Sequence, residues 1–193
     1  MSTTVDLLRR EHANHRKLLG ILEHQLFELP NARGETDYDI VKATVDYFLT
    51  FPSRHHHPKE DVVFNHLKKR APNEAKKIGD LLREHEELDV YVRAFAGALE
   101  NVLISGVFPR EVMLQGGRAF IDAMRKHVTE EERLFFDKAE EILGEEDWAA
   151  IAVETAEFDE HTAVEGAAGD LSALRSTILN WDAESRQPTS GPA

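Results

Sequence analysis

Four histidines and two glutamates recur in this chain with the spacing of metal ligands. His56 is followed by Glu60, Asp61 and Phe64, and His127 by Glu131, Glu132 and Phe135, in the same order at the same intervals. On an α-helix, residues four apart lie one above the other, so each segment turns an imidazole and a carboxylate toward the same point. A Glu-His pair precedes each segment at nearly equal distance. His12, after Glu11, lies 44 residues before His56, and His85, after Glu84, lies 42 residues before His127. The chain therefore reads as two related helical hairpins, each supplying two histidines and one glutamate.

The elements that must position these groups are legible in the apolar pattern, which advances by alternating steps of three and four, the signature of bundled helices. A first helix carries Val5, Leu8, His12, His15, Leu19, Leu22, Leu26 and Leu29; Ser2, Thr3 and Thr4 can cap it and it closes near Pro30 and Gly34. The third helix repeats that seam as Ile78, Leu81, His85, Leu88, Val92, Phe95, Leu99 and Val102, so His12 and His85 occupy one slot. Between them, residues 38 to 70 align Val45, Leu49, Pro52, His56, Glu60, Val63 and Leu67. Pro52 and Pro58 predict a break near Thr50 to Ser53, with the helix resuming about Pro58. A fourth helix from about Pro109 to Leu143 carries Met113, Phe120, Met124, His127, Glu131 and Leu134, and Gly144 ends it.

A further helical region from 146 to 181 holds Trp148, Ile151, Phe158, Leu171, Leu174, Ile178 and Trp181, with an interruption expected around Gly166 to Asp170. No segment alternates with period two, so no strands are expected. The reading is an all-α, up-down antiparallel four-helix bundle over residues 1–144, a helical extension packing on it over 145–183, and a disordered tail over 184–193.

Composition narrows the partners. With 193 residues and 41% hydrophobic side chains the chain can build a core, and a formal net charge of −13 repels nucleic-acid backbones and anionic membranes. The absence of cysteine removes thiolate ligands, disulfides and thiol catalysis, so a metal must be held by nitrogen and oxygen. No early apolar run resembles a signal peptide and no stretch of ~18 apolar residues could span a bilayer; a cytoplasmic address is the expectation.

If the seams face one another, His12, His56, Glu60, His85, His127 and Glu131 converge. Six polar groups in an apolar seam without partners would cost several kcal/mol, more than a marginally stable domain can absorb. Imidazole and carboxylate suit iron, zinc, manganese or copper, whereas calcium and magnesium prefer oxygen. Six donors exceed one tetrahedral zinc and fit two ions, with the glutamates able to bridge and room left for an exogenous group. A bridging hydroxide or oxide, with Asp61 and Glu132 behind the ligands or facing solvent, would balance the charge.

At these residues the chain resembles a known family. The phrases LLRREHANHRKLL, HHPKEDVVF, LLREHEELDVYV and HVTEEERLFF, within residues 5 to 140, are similar to the four motifs of hemerythrin-like (HHE cation-binding) proteins. The resemblance implies a four-helix bundle with a non-haem di-iron centre, two irons under carboxylate and oxo or hydroxo bridges, ligated by His12, His56, Glu60, His85, His127 and Glu131. Oxygen-carrying members have a second histidine four residues from the third-helix ligand; here the flanking positions are Leu81 and Asp89. The likeness is to the subgroup with four histidines and two glutamates, which includes proteins implicated in repairing nitrosative damage to iron-sulfur centres; those usually carry an N-terminal domain with a cysteine pair, which this sequence lacks.

His15 breaks the repeat, standing where the second hairpin has Leu88. It is read as a fifth histidine ligand, a donor behind the ligands, or a residue shaping access. His24, His55, His57 and His66 fall off the seams and are expected to face solvent or pair with acids. His161, between Glu157 and Glu165, has ligand-like spacing that an acidic helix produces by chance.

Three functions are compatible with these features. The first is a di-iron protein that binds or reacts with oxygen, nitric oxide or peroxide in sensing, storage or stress defence, including a peroxide- or nitric-oxide-consuming oxidoreductase. The second is an iron donor or repair protein. The third is a metal-stabilised interaction module in which Trp148, Phe158 and Trp181 contribute to a protein interface. No general acid or base beyond the ligands is evident.

Overall fold

The computed structural model describes residues 3–28, 35–105, 109–158 and 168–185. Helix α1, Thr3–Glu23, continues as a π-helical turn, His24–Glu28. Helix α2, Tyr38–Phe51, starts at Asp37, whose carboxylate accepts from the amides of Asp39 and Ile40 at 3.0 and 3.2 Å. This occupies donors that the first turn of a helix cannot satisfy internally. A π-helical turn, Pro52–His56, joins α2 to α3, His57–Arg70. The short α4, Pro72–Ile78, ends at Gly79, whose φ of 115° lies where side-chain-bearing residues are strained, and the chain then enters α5, Leu81–Ser105.

Helix α6, Arg110–Glu130, passes through a third π-helical turn, Glu131–Phe136, into α7, Asp137–Ile142. Leu143 leaves the helix in an extended conformation, and the Gly144 amide donates to Asp147 Oδ2 at 2.9 Å as α8, Glu145–Thr155, begins. A 3₁₀ turn at Ala156–Phe158 follows, and α9 is Ala168–Ser185. Among the described residues there is no strand, and no helix is long and apolar enough to cross a membrane.

Successive long helices pack antiparallel. The α5 and α6 pair shares the longest contact, α1 meets α2 and α6, and α5 meets α2 and α3. Outside the bundle, α8 lies on α3, and α9 lies on α2 and α1. The core is split in two. One block gathers Leu18, Leu22 and Leu26 with Phe48, Phe95, Phe120 and Met124, and the other gathers Val5 and Leu8 with Val63, Leu67, Phe135, Phe136 and Ile151. The histidines and glutamates form the layer between these blocks, because His12 and His15 follow Val5 and Leu8 on α1 and precede Leu18.

The structure differs from the sequence reading at identifiable points. Pro52 does not break the second helix; the wider π turn absorbs the missing amide and the helix continues. Ile78 is on the separate α4 rather than at the head of the third helix, because Gly79 reverses the backbone. Helix α9 runs to Ser185, two residues into the segment read as tail. Of the interruption expected at Gly166 to Asp170, residues 168–170 are already in helix α9; residues 166 and 167, Pro30 and Gly34, the metal-like spacing around His161 and Glu165, and residues 186–193 lie outside the described residues.

Candidate metal centre

Each of the four long rods delivers its part of the centre at one height. His12 comes from α1, His85 from α5, and His127 from the end of α6. His56 is the last residue of the π turn after α2, Glu60 sits in the first turn of α3, and Glu131 opens the π turn after α6. All six are buried, none more than 7% exposed. The structure thus brings together every residue the repeat singled out.

Their inner atoms nearly touch. His12 Nε2 lies 3.3 Å from Glu60 Oε1 and 3.3 Å from Glu131 Oε2. His56 Nε2 is 3.1 Å from Glu60 Oε1, and His127 Nε2 is 3.2 Å from Glu131 Oε2. His85 Nε2 is 3.5 Å from Glu60 Oε2 and 3.5 Å from Glu131 Oε1. Glu60 therefore turns one oxygen to His12 and His56 and the other to His85.

The outer nitrogens explain why the rings point inward. His12 Nδ1 meets Glu132 Oε1 at 3.2 Å, His56 Nδ1 meets Glu11 Oε2 at 2.7 Å, His85 Nδ1 meets Asp61 Oδ1 at 3.1 Å, and His127 Nδ1 meets Glu84 Oε2 at 3.4 Å. An ionised carboxylate can only accept, so each Nδ1 carries the proton and donates it. A neutral ring held this way has its Nε2 lone pair free and aimed at the centre, the arrangement that fixes metal-binding histidines. The four acids form a crossed set: Glu132 and Asp61 hold a histidine of the other hairpin, and Glu11 and Glu84 a histidine of their own. Asp61 and Glu132 were expected behind the ligands or in solvent, and they stand behind the ligands. Arg16 grips Glu132 through both oxygens, and the buried Lys59 donates to Glu11.

These partners shift the titrations. Burial opposes charge on Glu60, but His56 and His12 outweigh it and hold the carboxyl well below its usual range. Burial likewise works against protonating His12, yet Glu131 and Glu60 raise it to about 10. For His85, burial is overcome by Asp61, Glu131 and Glu60, again to about 10. His56 is also raised, Glu60 and Glu11 outweighing its burial. Without a cation, protons on the rings provide the positive charge that the carboxylates demand.

The donor set fits metal ions. His12 Nε2, His56 Nε2, His127 Nε2, both oxygens of Glu60 and Glu131 Oε2 are buried without a hydrogen-bond partner. Unpartnered buried polar atoms each cost about 1–3 kcal/mol, and a bound cation satisfies them together. Two groups of atoms, each within 4.8 Å of one another, could hold an ion: His12, His56, Glu60 and Glu131, and His57, Glu60, His85 and His127. Glu60 belongs to both.

His57 is the residue the sequence reading missed. Expected to lie off the seam, it is 8% exposed and stacks on His85 with ring centroids 4.0 Å apart and planes 2° from parallel. His55 is buried too, its Nδ1 donating to the Phe158 carbonyl at 3.1 Å under the C-terminal extension. The π turn is the cause: its wider backbone brings His55, His56 and His57 inward together, where a regular α-helix would bury one of the three. His24 and His66 pair with Glu28 and Glu154, both at 3.0 Å, within the reading given for them. His15 is fully buried but outside both donor groups; its ring packs 4.8 Å from that of His56 and against Tyr47, Phe48 and Phe51. Burial, with His56 and His12 nearby, holds it neutral.

The crossed acids yield a testable asymmetry. Asp61→Ala is expected to weaken metal binding at the His85–His127 end by about 10–100-fold and Glu132→Ala to do so at the His12–His56 end, the usual range for removing such a support. Competition with a graded series of chelators reads it. Equal loss at both ends in both variants would contradict the pairing.

No curated protein and no solved structure matches the chain. The family model described as the hemerythrin HHE cation binding domain matches residues 3–139, a span that contains the six inner histidines and glutamates and the four acids behind them. The four-rod bundle, the buried histidine and glutamate layer and this match place the chain in the hemerythrin HHE cation-binding domain family.

Proposed function

We propose that the chain binds two iron ions under an oxo or hydroxo bridge, with His12, His56, Glu60, His85, His127 and Glu131 as ligands, and that it binds or reacts with dioxygen, nitric oxide or peroxide. The observation that carries this reading is the sharing of Glu60 by two adjacent donor groups, each with at least two histidines. Nitrogen and carboxylate donors without sulfur suit iron in a mixed-ligand site. Bound there, a pair of irons supplies redox chemistry and a Lewis-acid position.

The protein residues supply the rest. Glu11, Glu84, Asp61 and Glu132 hold the rings in one tautomer. Phe135 and Phe136 on one side and Phe48, Phe51 and Phe120 on the other exclude bulk water from the layer between the two apolar blocks. A small neutral or singly charged molecule fits such a site, and a bulky organic substrate does not.

Metal analysis of the purified chain, with absorption spectra under oxygen, nitric oxide and peroxide, tests the proposal. Two irons per chain and near-ultraviolet oxo-to-iron bands are expected. One zinc per chain with no such bands would end it.

A further inference from the structure

Beside the centre, a cavity of about 310 Å³ opens between the start of α3 and helix α5, walled by Phe48, Pro52, His57, Asp61, His85 and Leu88, with the exposed Ser53 at its edge. His57 is where this cavity meets the donor layer. Its Nε2 is buried with no hydrogen-bond partner, and it offers an atom within 4.8 Å of those of Glu60, His85 and His127. Distance alone would make it a seventh ligand.

The ring orientation argues otherwise. An imidazole binds a metal along its nitrogen lone pair, in the plane of its own ring. Two rings stacked 4.0 Å apart and 2° from parallel cannot both contain one ion in their planes. His85 has its Nδ1 tied to Asp61 and its Nε2 aimed between Glu60 and Glu131, so His85 is the in-plane donor. His57 is then a polar group beside the ion, facing the way in.

We propose that His57 selects the exogenous ligand: a small molecule with an acceptor atom enters by this cavity, seats at the His85–His127 end of the centre, and takes a hydrogen bond from His57 Nε2–H. The inference rests on the dinuclear reading above. The buried Nε2 has no protein partner to take its hydrogen, so an N–H there is free for an acceptor atom of the ligand. The repeat has no second such donor. The position matching His57 beside His127 is Val128, fully buried in the apolar block, so the two ends of the centre differ in what they offer a ligand.

The test uses the full chain loaded with iron, comparing wild type with His57→Leu and His57→Gln, azide and nitric oxide being the probes. All three proteins are expected to hold two irons. In His57→Leu the azide Kd rises about tenfold or more, the loss of a hydrogen bond to a charged acceptor, and the azide stretching frequency shifts. His57→Gln restores part of both, and nitric oxide follows the same order. Ser53→Trp at the cavity edge slows azide association several-fold and leaves the stretch in place. Unchanged azide affinity and frequency in a two-iron His57→Leu protein overturn the inference alone, as does a drop to one iron, which would make His57 a ligand. An unaltered association rate in Ser53→Trp overturns the route. Wild type that takes up fewer than two irons overturns the dinuclear reading itself.

Discussion

Glu60→Ala is expected to take the chain from two bound metals to none while the bundle stays helical. Glu60 Oε1 lies 3.1 Å from His56 Nε2 and 3.3 Å from His12 Nε2, while Oε2 lies 3.5 Å from His85 Nε2, so one truncation removes a donor from each group of ligands. It also removes half of the central negative charge, because Glu60 and Glu131 are the only carboxylates between the inward nitrogens among the described residues. His56→Ala is the contrast. It depletes the donors around His12 but leaves His85 and His127 with Glu60 and Glu131 at the other end of the centre, so one metal per chain should remain. Metal content after gel filtration in a mild chelator separates the two outcomes. Two metals retained by Glu60→Ala would show that the carboxylate is not shared.

Stripping the metals should cost more than any other single perturbation. A ligand held at 100 times its Kd stabilises the folded state by about 2.7 kcal/mol, so two sites together contribute about 5 kcal/mol. For a chain of this size, that lowers Tm by roughly 10–20 °C. The size of the drop should also depend on pH. In the metal-free chain His12 and His85 are raised from 6.5 to about 10, so their protonated forms contribute stability fully present below about 6.5 and lost as pH rises toward 10. A metal needs the same nitrogens deprotonated, so its affinity rises through that window. The gap in Tm between loaded and stripped protein should therefore widen from pH 6.5 to 9. Melting curves at intervals of pH read it directly, and a gap that stays flat or narrows would count against these rings as both proton and metal sites.

The residues of the inner layer were legible because two independent regularities agreed on them. The four-residue step from histidine to glutamate placed His56 with Glu60 and His127 with Glu131, and the common slot on two amphipathic seams placed His12 opposite His85. Of the acids behind them, Asp61 and Glu132 were legible from their place after the glutamates, whereas Glu11 and Glu84 marked the repeat and took on their role only in the structure. Which acid holds which histidine was not legible, because that depends on how the hairpins cross.

His57 was hidden by an assumption of constant pitch. A regular α-helix advances 3.6 residues per turn, so its seam mixes threes and fours. Phe48, Pro52, His56 and Glu60 are buried in steps of four, with Phe51, His55 and Lys59 in a parallel row of fours, and His127, Glu131, Phe135 and Ala139 follow the same step. The surplus of residues per turn is what the π turns at Pro52–His56 and Glu131–Phe136 take up. Both fall where ligands sit. A run of fours in a seam that also contains histidine is the signal that would have placed His57 inside.

The crossed carboxylates also govern when the centre can exist during synthesis. His12 leaves the ribosome 120 residues ahead of Glu132, the acid that fixes its ring. The contact between His85 and Asp61 spans only 24 residues. Closing the longer loop is the slower and more entropically demanding event, so the centre can mature only after α6 docks on α1. Pulse-labelled hydrogen exchange during refolding should show amides around His12 and Glu132 gaining protection together, after those of the α5 and α6 hairpin. A partly made chain would thus present scattered histidines without the geometry to capture iron, and loading would wait for a finished bundle.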